Sequence, residues 1–296
     1  MCRLFGLSGG REPVSATFWL LEAPDSLAVQ SHHDPDGTGL GAFRPDGSAY
    51  IDKQPLAAYA DRAFAQAART VRSRTFVAHI RYASTGAVAL QNTHPFEQRD
   101  RLFAHNGVIG EVVRLEQRLS GSRDLVHGET DSERFFALIT QEIEADGDGG
   151  GAIARAAGWI AANLPVFALN CVLITDTELW ALRYPAVHEL YVLERGAGEA
   201  GPARGEHLHH RGSSGELRVH SAELGERAAV VVASERMDDD PGWRLLAPGE
   251  LIHVDADLHV HSRIILKEAP AHPLTLADLD PRAAASQRAV QGSSRT

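Results

Sequence analysis

No stretch of this sequence approaches the roughly 20 consecutive apolar residues that a membrane-spanning helix needs. The longest apolar runs, such as AAVVVA at residues 228–233, have the length of a β-strand, and the segment after Met1 lacks the apolar core of a signal peptide. Cysteine is also scarce, since only Cys2 and Cys171 are present, which excludes a disulfide framework. We therefore expect a cytoplasmic protein that neither crosses a membrane nor depends on disulfides.

Positive charge is in the minority. The 29 lysine and arginine residues are outnumbered by 39 aspartate and glutamate residues, which gives a formal net charge of −10. A nucleic-acid surface needs clustered cations, so nucleic acid is not an expected partner. The apolar content of 44% is typical of soluble globular proteins and is sufficient for a sizeable core.

Metal-binding motifs are missing as well. The run HLHH at residues 207–210, taken with His188 and His220, does not follow HExxH or CxxC spacing and lies in a glycine-rich segment. The run DGDGGG at residues 146–151 lacks the terminal glutamate of an EF-hand loop. We therefore expect solvated histidines and no metal site.

The order of predicted elements favours an α+β fold. Short strands in both halves flank two helices, predicted at residues 129–145 and 152–164, and the first has the capping-box spacing of Thr130 and Glu133. A further helix is predicted at 54–71, and a loop or hairpin insertion at 194–215. No linker divides the chain, so we expect one domain over residues 1–267 and a disordered tail over 268–296.

The position of Cys2 is unusual for a thiol. Removal of Met1 would make Cys2 the first residue, with an α-amine of pKa about 7.7–8.0 beside its own sulfur. Nucleophile and general base would then belong to one residue, whereas a retained Met1 would leave an amide that cannot accept the proton. The alternative is a small apolar side chain packed at the start of a strand.

Three later segments contain groups that such a nucleophile would need. Arg81, at the end of a predicted strand, has a guanidinium that can bind a carboxylate through two hydrogen bonds, or form a surface ion pair. Asn106 and Gly107 offer an amide and a backbone N–H to an oxyanion, or form an ordinary turn. Asp131 opens a predicted helix, where it can bind an ammonium group or simply stabilise the helix dipole.

Five motifs in order carry a family resemblance: MCRLFG, RYASTG, NTHPF, AHNG and ETDSE. Together they resemble the class II glutamine amidotransferases, which are N-terminal-nucleophile hydrolases. The later segment VVASERMDDDPGW is similar to the stand-alone branch that includes YafJ-like and EgtC-like proteins. The resemblance extends over roughly residues 1–260 and implies an αββα sandwich of two stacked, mainly antiparallel sheets.

The resemblance also implies roles for individual residues. Cys2 matches the nucleophile, and Asn106 with Gly107 matches the oxyanion hole. Arg81 matches the residue that binds the α-carboxylate of the substrate. The remaining candidate substrate-binding residues are Asp131, for the α-amino group, Ser84, where the family usually has threonine, and His105.

The implied reaction is cleavage of a γ-glutamyl amide through a cysteine thioester, with release of glutamate and no cofactor. The substrate is a small molecule, either glutamine or a γ-glutamyl peptide or conjugate. Alternatively, the chain is a glutaminase that supplies ammonia to a separate synthase, or a non-catalytic regulatory subunit. A protein partner, either a synthase or a peptidase subunit, is therefore possible.

Overall fold

Two seven-stranded β-sheets form the centre of the protein in a computed structural model that describes residues 2–32, 36–82, 86–196, 208–212, 215–219 and 227–287. In chain order the strands are β1 Arg3–Ser8, β2 Val14–Ser15, β3 Gly37–Phe43, β4 Ala49–Gln54, β5 Arg72–Ser73, β6 Thr75–Arg81, β7 Phe96–Gln98, β8 Arg101–Ile109, β9 Pro165–Ile174, β10 Leu179–Arg183, β11 Tyr191–Arg195, β12 Leu208–Gly212, β13 Gly215–Val219, β14 Ala229–Ala233, β15 Arg244–Leu245, β16 Glu250–Val254, β17 Val260–Ile264 and β18 His272–Pro273. The α-helices are α1 Leu27–Gln30, α2 Arg62–Thr70, α3 Val112–Arg118, α4 Asp131–Asp146, α5 Gly149–Asn163 and α6 Pro281–Gln287. Shorter helical turns lie at Phe18–Glu22, Ala58–Ala60, Leu90–Asn92 and Arg123–Leu125.

The strand order places β1 in the middle of the first sheet. That sheet runs β15-β11-β14-β1-β6-β3-β4, and the second runs β17-β16-β10-β9-β8-β7, with β18 beside β9. Every pair between neighbouring strands is antiparallel except β18 with β9. The predicted α+β class is therefore confirmed.

The apolar residues divide into layers that match the two sheets. Leu4, Val77 and Val172 belong to the cluster that fills the space between the sheets. The outer face of the first sheet packs on α1, α2 and the turn at Phe18–Glu22, and the outer face of the second packs on α4 and α5. These layers form the predicted αββα sandwich.

Helix α4 begins where the sequence predicts. Thr130 Oγ1 accepts a hydrogen bond from the Glu133 N–H at 3.3 Å, which satisfies one free donor of the first turn. The Glu133 carboxylate does not complete the reciprocal box, because it accepts instead from the N–H groups of His127 and Gly128. The helix ends at Gly147, whose φ of 77° suits glycine.

Two local predictions were wrong. The helix predicted at 54–71 is shorter, because residues up to Gln54 form β4 and α2 starts at Arg62, after the Asp61 carboxylate caps Ala63 and Phe64. In addition, β8 does not end in an Asn-Gly turn. It continues to Ile109, with Asn106 and Gly107 paired to β9.

The segment after residue 267 is regular where the structure describes it, contrary to the expected disorder. Strand β18 pairs with the start of β9, and α6 buries Ala283 and Ala284. Residues 288–296 lie outside the described residues. In the predicted insertion at 194–215, the described part includes β12, which pairs with β13. Within the described ranges, no helix is long and apolar enough to cross a membrane.

Candidate active site

Strand alternation directs three of the predicted residues towards one end of the space between the sheets. In β1, Leu4 points into this space, so Cys2, two residues earlier, lies on the same side. In β6, Val77 points the same way, and Arg81, four residues later, lies on the same face of the strand. In β8, Ala104 does so as well, and Asn106 is its next neighbour on that face.

The Cys2 thiol contacts the backbone just beyond β6. Its sulfur lies 3.4 Å from the Tyr82 carbonyl oxygen and accepts a hydrogen bond from the Tyr82 N–H at 3.2 Å. The Cys2 carbonyl accepts a hydrogen bond from Asn106 Nδ2 at 2.9 Å. Cys2 is 6% exposed, so its sulfur occupies a defined position although it lies near the end of the chain.

The segment after β14 fixes the start of β1. The Leu4 N–H donates to Ser234 Oγ at 2.9 Å, and the Ser234 N–H donates to the Leu4 carbonyl at 3.0 Å. The Arg3 guanidinium, which is buried, forms an ion pair with Glu235 at 2.6 Å. The segment VVASERMDDDPGW thus has an anchoring role, which was not predicted because the sequence offers no local signal for it.

Asn106 and Gly107 lie side by side in β8. One N–H of the Asn106 amide binds the Cys2 carbonyl, and its buried Oδ1 has no hydrogen-bond partner among the described residues. A Cβ added at Gly107 would lie 1.8 Å from the Ala168 carbonyl oxygen. Only glycine therefore allows β8 and β9 to approach this closely.

Arg81 is buried, and its guanidinium binds the loop that follows. It donates to the carbonyl oxygens of Ala87 at 3.1 Å and Gly86 at 3.4 Å. Burial lowers the pKa of Arg81, while Cys2, Asp36 and Asp131 favour its charged form. Arg81 is therefore a buried cation that is fixed to the loop after β6.

Asp131, the first residue of α4, faces the end of β8. Its Oδ2 accepts a hydrogen bond from the Ile109 N–H at 2.8 Å, and the residue is 1% exposed. A carboxylate at a helix N-terminus is favoured by the helix dipole, so Asp131 also stabilises α4. Its position near Arg81 still gives the site one acidic and one basic group.

His105 lies on the opposite face of β8 from Asn106. Its Nδ1 is 2.9 Å from Ser132 Oγ and its Nε2 is 3.2 Å from the Ala168 carbonyl oxygen, so both ring nitrogens have protein partners. This places His105 between α4 and β9, apart from the group formed by Cys2, Arg81 and Asn106. Ser84 lies outside the described residues.

Two further histidines, which the sequence analysis missed, are buried near the site. The rings of His79 and His94 lie 4.2 Å apart, and neither ring has a hydrogen-bond partner within the described part of the chain. Burial lowers the pKa of His79 to about 3 and that of His94 well below its usual range. Both rings are therefore neutral, and His79 lies two residues before Arg81 on the same face of β6.

The other cysteine, Cys171, does not belong to this site. Cys171 is 1% exposed within the core of the second sheet, and burial raises the pKa of its thiol to about 12. It therefore stays protonated and unreactive at neutral pH.

A group of potential metal ligands lies on the turn between β16 and β17. Oxygen and nitrogen atoms of Asp255, Asp257 and His259 lie within 4.8 Å of one another. The Asp257 carboxylate, however, is bound by the Arg11 guanidinium at 2.7 Å and 3.1 Å. Both Asp257 and His259 are exposed, and this group shares no residue with the site around Cys2.

Comparison with known proteins places the chain in a family. The family model for class II glutamine amidotransferases matches residues 1–273. The γ-glutamyl-hercynylcysteine sulfoxide hydrolase of Mycolicibacterium smegmatis is 27% identical over 271 residues, which is 88% of this chain and 98% of that protein. The putative glutamine amidotransferase YafJ of Escherichia coli is 42% identical over 77 residues, which is 25% of this chain.

These matches differ in extent. The match to YafJ covers 29% of that protein's length, and the match to another curated relative, at 35% identity, covers 39% of its length. Among solved structures, a predicted glutamine amidotransferase from Pseudomonas aeruginosa has a TM-score of 0.58 at 21% identity, covering 88% of this chain and 100% of that one. The chain thus belongs to the class II glutamine amidotransferase family, a family of enzymes with the N-terminal-nucleophile hydrolase fold.

Proposed function

We propose that this protein hydrolyses a γ-glutamyl amide through a thioester on Cys2 and releases glutamate. The observation that carries the proposal is the position of Cys2, whose sulfur is held against the Tyr82 backbone, directly after Arg81, and whose carbonyl oxygen binds the Asn106 amide. A thiol, an amide donor and a buried cation at one end of the sandwich are the groups that this reaction needs.

The head group of the substrate is recognised by charge. Arg81 binds the α-carboxylate and Asp131 binds the α-ammonium group, with Ser84 as a further contact. Because both charged residues are buried, a substrate that lacks either charge leaves one of them without a ligand. This selects a γ-glutamyl bond over an ordinary peptide bond, since an α-peptide carbonyl has lost the free carboxylate.

The chemistry begins after Met1 is removed. The free α-amine of Cys2 takes the proton from Sγ, and the thiolate attacks the γ-carbonyl carbon. As the C–N bond of the substrate breaks, the leaving amine takes the proton from the α-ammonium group of Cys2, and the glutamyl thioester remains on the Cys2 sulfur. Water then gives a proton to the α-amine and attacks the thioester. The C–S bond breaks, the thiol re-forms and glutamate leaves.

Asn106 and Gly107 stabilise the two oxyanions of this sequence. The Asn106 amide has two N–H groups, and one of them already binds the Cys2 carbonyl. That bond fixes the amide beside the nucleophile, and the second N–H is the donor for the oxyanion together with the Gly107 N–H. Loss of one such donor costs about 10²–10³-fold in turnover.

The substrate in this proposal is a γ-glutamyl conjugate, and the amine to which its glutamyl group is joined is the leaving group. The supporting observation is the match to a γ-glutamyl conjugate hydrolase along nearly the whole length of that protein. The alternative, a glutaminase that passes ammonia to a separate synthase, predicts a preference for glutamine and stimulation by a partner. A single assay separates the two.

That assay measures glutamate release from glutamine, glutathione and a panel of γ-glutamyl amines and thiols, with mass spectrometry to establish that Met1 is absent. We expect Cys2→Ala to abolish release and Cys171→Ala, which removes the other thiol, to retain it. Faster release from a conjugate than from glutamine supports the conjugate hydrolase. Activity in protein that retains Met1 contradicts the free-amine mechanism, and equal activity of Cys2→Ala contradicts the nucleophile.

A further inference from the structure

The C-terminal segment passes close to the candidate site. The Ala271 N–H donates to the Ala161 carbonyl, and β18 pairs with the first residues of β9. Beyond it, Leu274 and Leu279 pack against the cluster of Val108, Phe167 and Ala168, next to Gly107. The segment is therefore fixed to the edge of the site by backbone hydrogen bonds and apolar contacts.

Helix α6 then carries a cation towards Arg81. Asp280 caps α6 by accepting from the N–H groups of Arg282 and Ala283, and Ala283 is 2% exposed. The Arg282 guanidinium lies 3.4 Å from the Asp36 carboxylate. The family match ends at residue 273, before α6 begins, so one partner of this contact, Arg282, lies outside the matched range.

Asp36 is directly connected to Arg81. Its N–H donates to the Arg81 carbonyl at 3.1 Å, and the next residue, Gly37, pairs with Arg81 in the sheet. Asp36 and Arg282 both act on the Arg81 guanidinium electrostatically, the first in favour of its charge and the second against it. Asp36 is therefore joined to Arg81 through the backbone and to Arg282 through its carboxylate.

We propose that Arg282 is a positioning residue for the glutamyl site: it neutralises Asp36 and so leaves Arg81 available for the α-carboxylate of the substrate. Without Arg282, the full charge of Asp36 competes with that carboxylate for Arg81. The inference rests on the proposed function for the identity of the ligand, a free glutamyl head group. It adds the C-terminal segment, which the sequence predicted to be disordered, to the binding site.

The expected effect is on binding. The Arg282–Asp36 pair is partly exposed, with Arg282 at 56% and Asp36 at 24%, so its loss is expected to weaken glutamate binding about two- to fivefold. The same rise is expected in KM with kcat unchanged, because Arg81 holds the carboxylate equally in ground and transition states. Arg282→Lys, which keeps the charge, is expected to restore most of the affinity.

The test is a double-mutant cycle read by calorimetric titration with L-glutamate, alongside KM and kcat. Arg282→Ala is expected to weaken binding in the native background but to have less than a twofold effect in an Asp36→Asn background. Arg11→Ala is the matched control, since it breaks an exposed pair with Asp257 outside the site.

Each outcome distinguishes the inference from the proposed function. Unchanged glutamate affinity in Arg282→Ala overturns the inference, as does an equal loss in both backgrounds, which would mean that Arg282 does not act through Asp36. Absence of glutamate binding to the native protein also overturns it. If glutamate binds and the cycle behaves as expected while no γ-glutamyl substrate is cleaved, the inference holds and the proposed function fails.

Discussion

Replacement of Gly107 by alanine gives the most demanding test of the site geometry. The added Cβ would lie 1.8 Å from the Ala168 carbonyl oxygen, 2.5 Å from the Ala168 carbonyl carbon and 2.7 Å from His105 Nε2. Two of these three atoms belong to the backbone of the neighbouring strand, so no side-chain rotation relieves the contact. Strands β8 and β9 must move apart, and both are interior strands of the second sheet.

The cost follows from this geometry. Overpacking in a tightly packed interior costs about 1–3 kcal/mol, and a backbone clash belongs at the upper end of that range. Because about 1 kcal/mol corresponds to about 2–4 °C for a domain of this size, we expect Gly107→Ala to lower Tm by about 6–12 °C. The movement also displaces Asn106 and the Gly107 N–H, so turnover is expected to fall about 10²–10³-fold at a temperature where the variant is folded.

The assay combines thermal unfolding with glutamate release at 20–30 °C below the Tm of the variant, as a rough working range. Gly158→Ala is the control, because its added Cβ meets only Leu266 Cδ2 at 3.7 Å and lies inside α5. Alanine there is expected to stabilise the protein by about 0.5–1 kcal/mol. An unchanged Tm with full activity in Gly107→Ala would refute the close approach of β8 and β9 and the role of Gly107.

Further predictions concern acid stability and the start of β1. Burial lowers the pKa values of His79, His94 and His105, so below about pH 6.5 the unfolded chain takes up protons that the folded chain does not. Stability is therefore expected to fall by about 2 kcal/mol between pH 6.5 and 5.5 because of His79 and His94, with His105 acting in the same direction. The fall is measured as a lower Tm, and a flat Tm contradicts neutral histidines. Glu235→Gln removes the carboxylate that pairs with the buried Arg3 cation. Since Glu235 is 39% exposed, we expect a loss of about 1–3 kcal/mol, seen as a lower urea midpoint at constant m-value, and an unchanged midpoint contradicts it.

The sequence predicted those features that depend on local chemistry. Thr130 precedes an apolar stripe and caps α4 as expected, because the hydroxyl of a capping residue binds an N–H group in the first turn of its own helix. The strand that ends at Arg81 is likewise evident from its β-branched and aromatic residues. The family motifs then placed these elements in the sandwich, which periodicity alone does not do.

Features that depend on contacts distant in sequence were not predictable. Asn-Gly is typical of a turn, yet Asn106 and Gly107 stay in β8 because β9 pairs with them across some 60 residues. The composition of the tail favours disorder, but Leu274 and Leu279 find an apolar surface formed by Val108 and Phe167. Nothing near Asp36 indicates that a residue of α6 reaches it.

The central place of β1 in its sheet has a consequence for when the enzyme becomes competent during synthesis. One neighbour, β6, is translated early, but the other, β14, and the Ser234 hydroxyl that binds Leu4 come at the far end of the domain. At 5–20 residues per second, the ribosome needs about 8–30 s to extend the chain from Arg81 to Ser234. During that interval the strand that follows Cys2 lacks one flank, so, under the proposed function, we expect the nascent chain to be inactive on γ-glutamyl compounds until the domain is nearly complete.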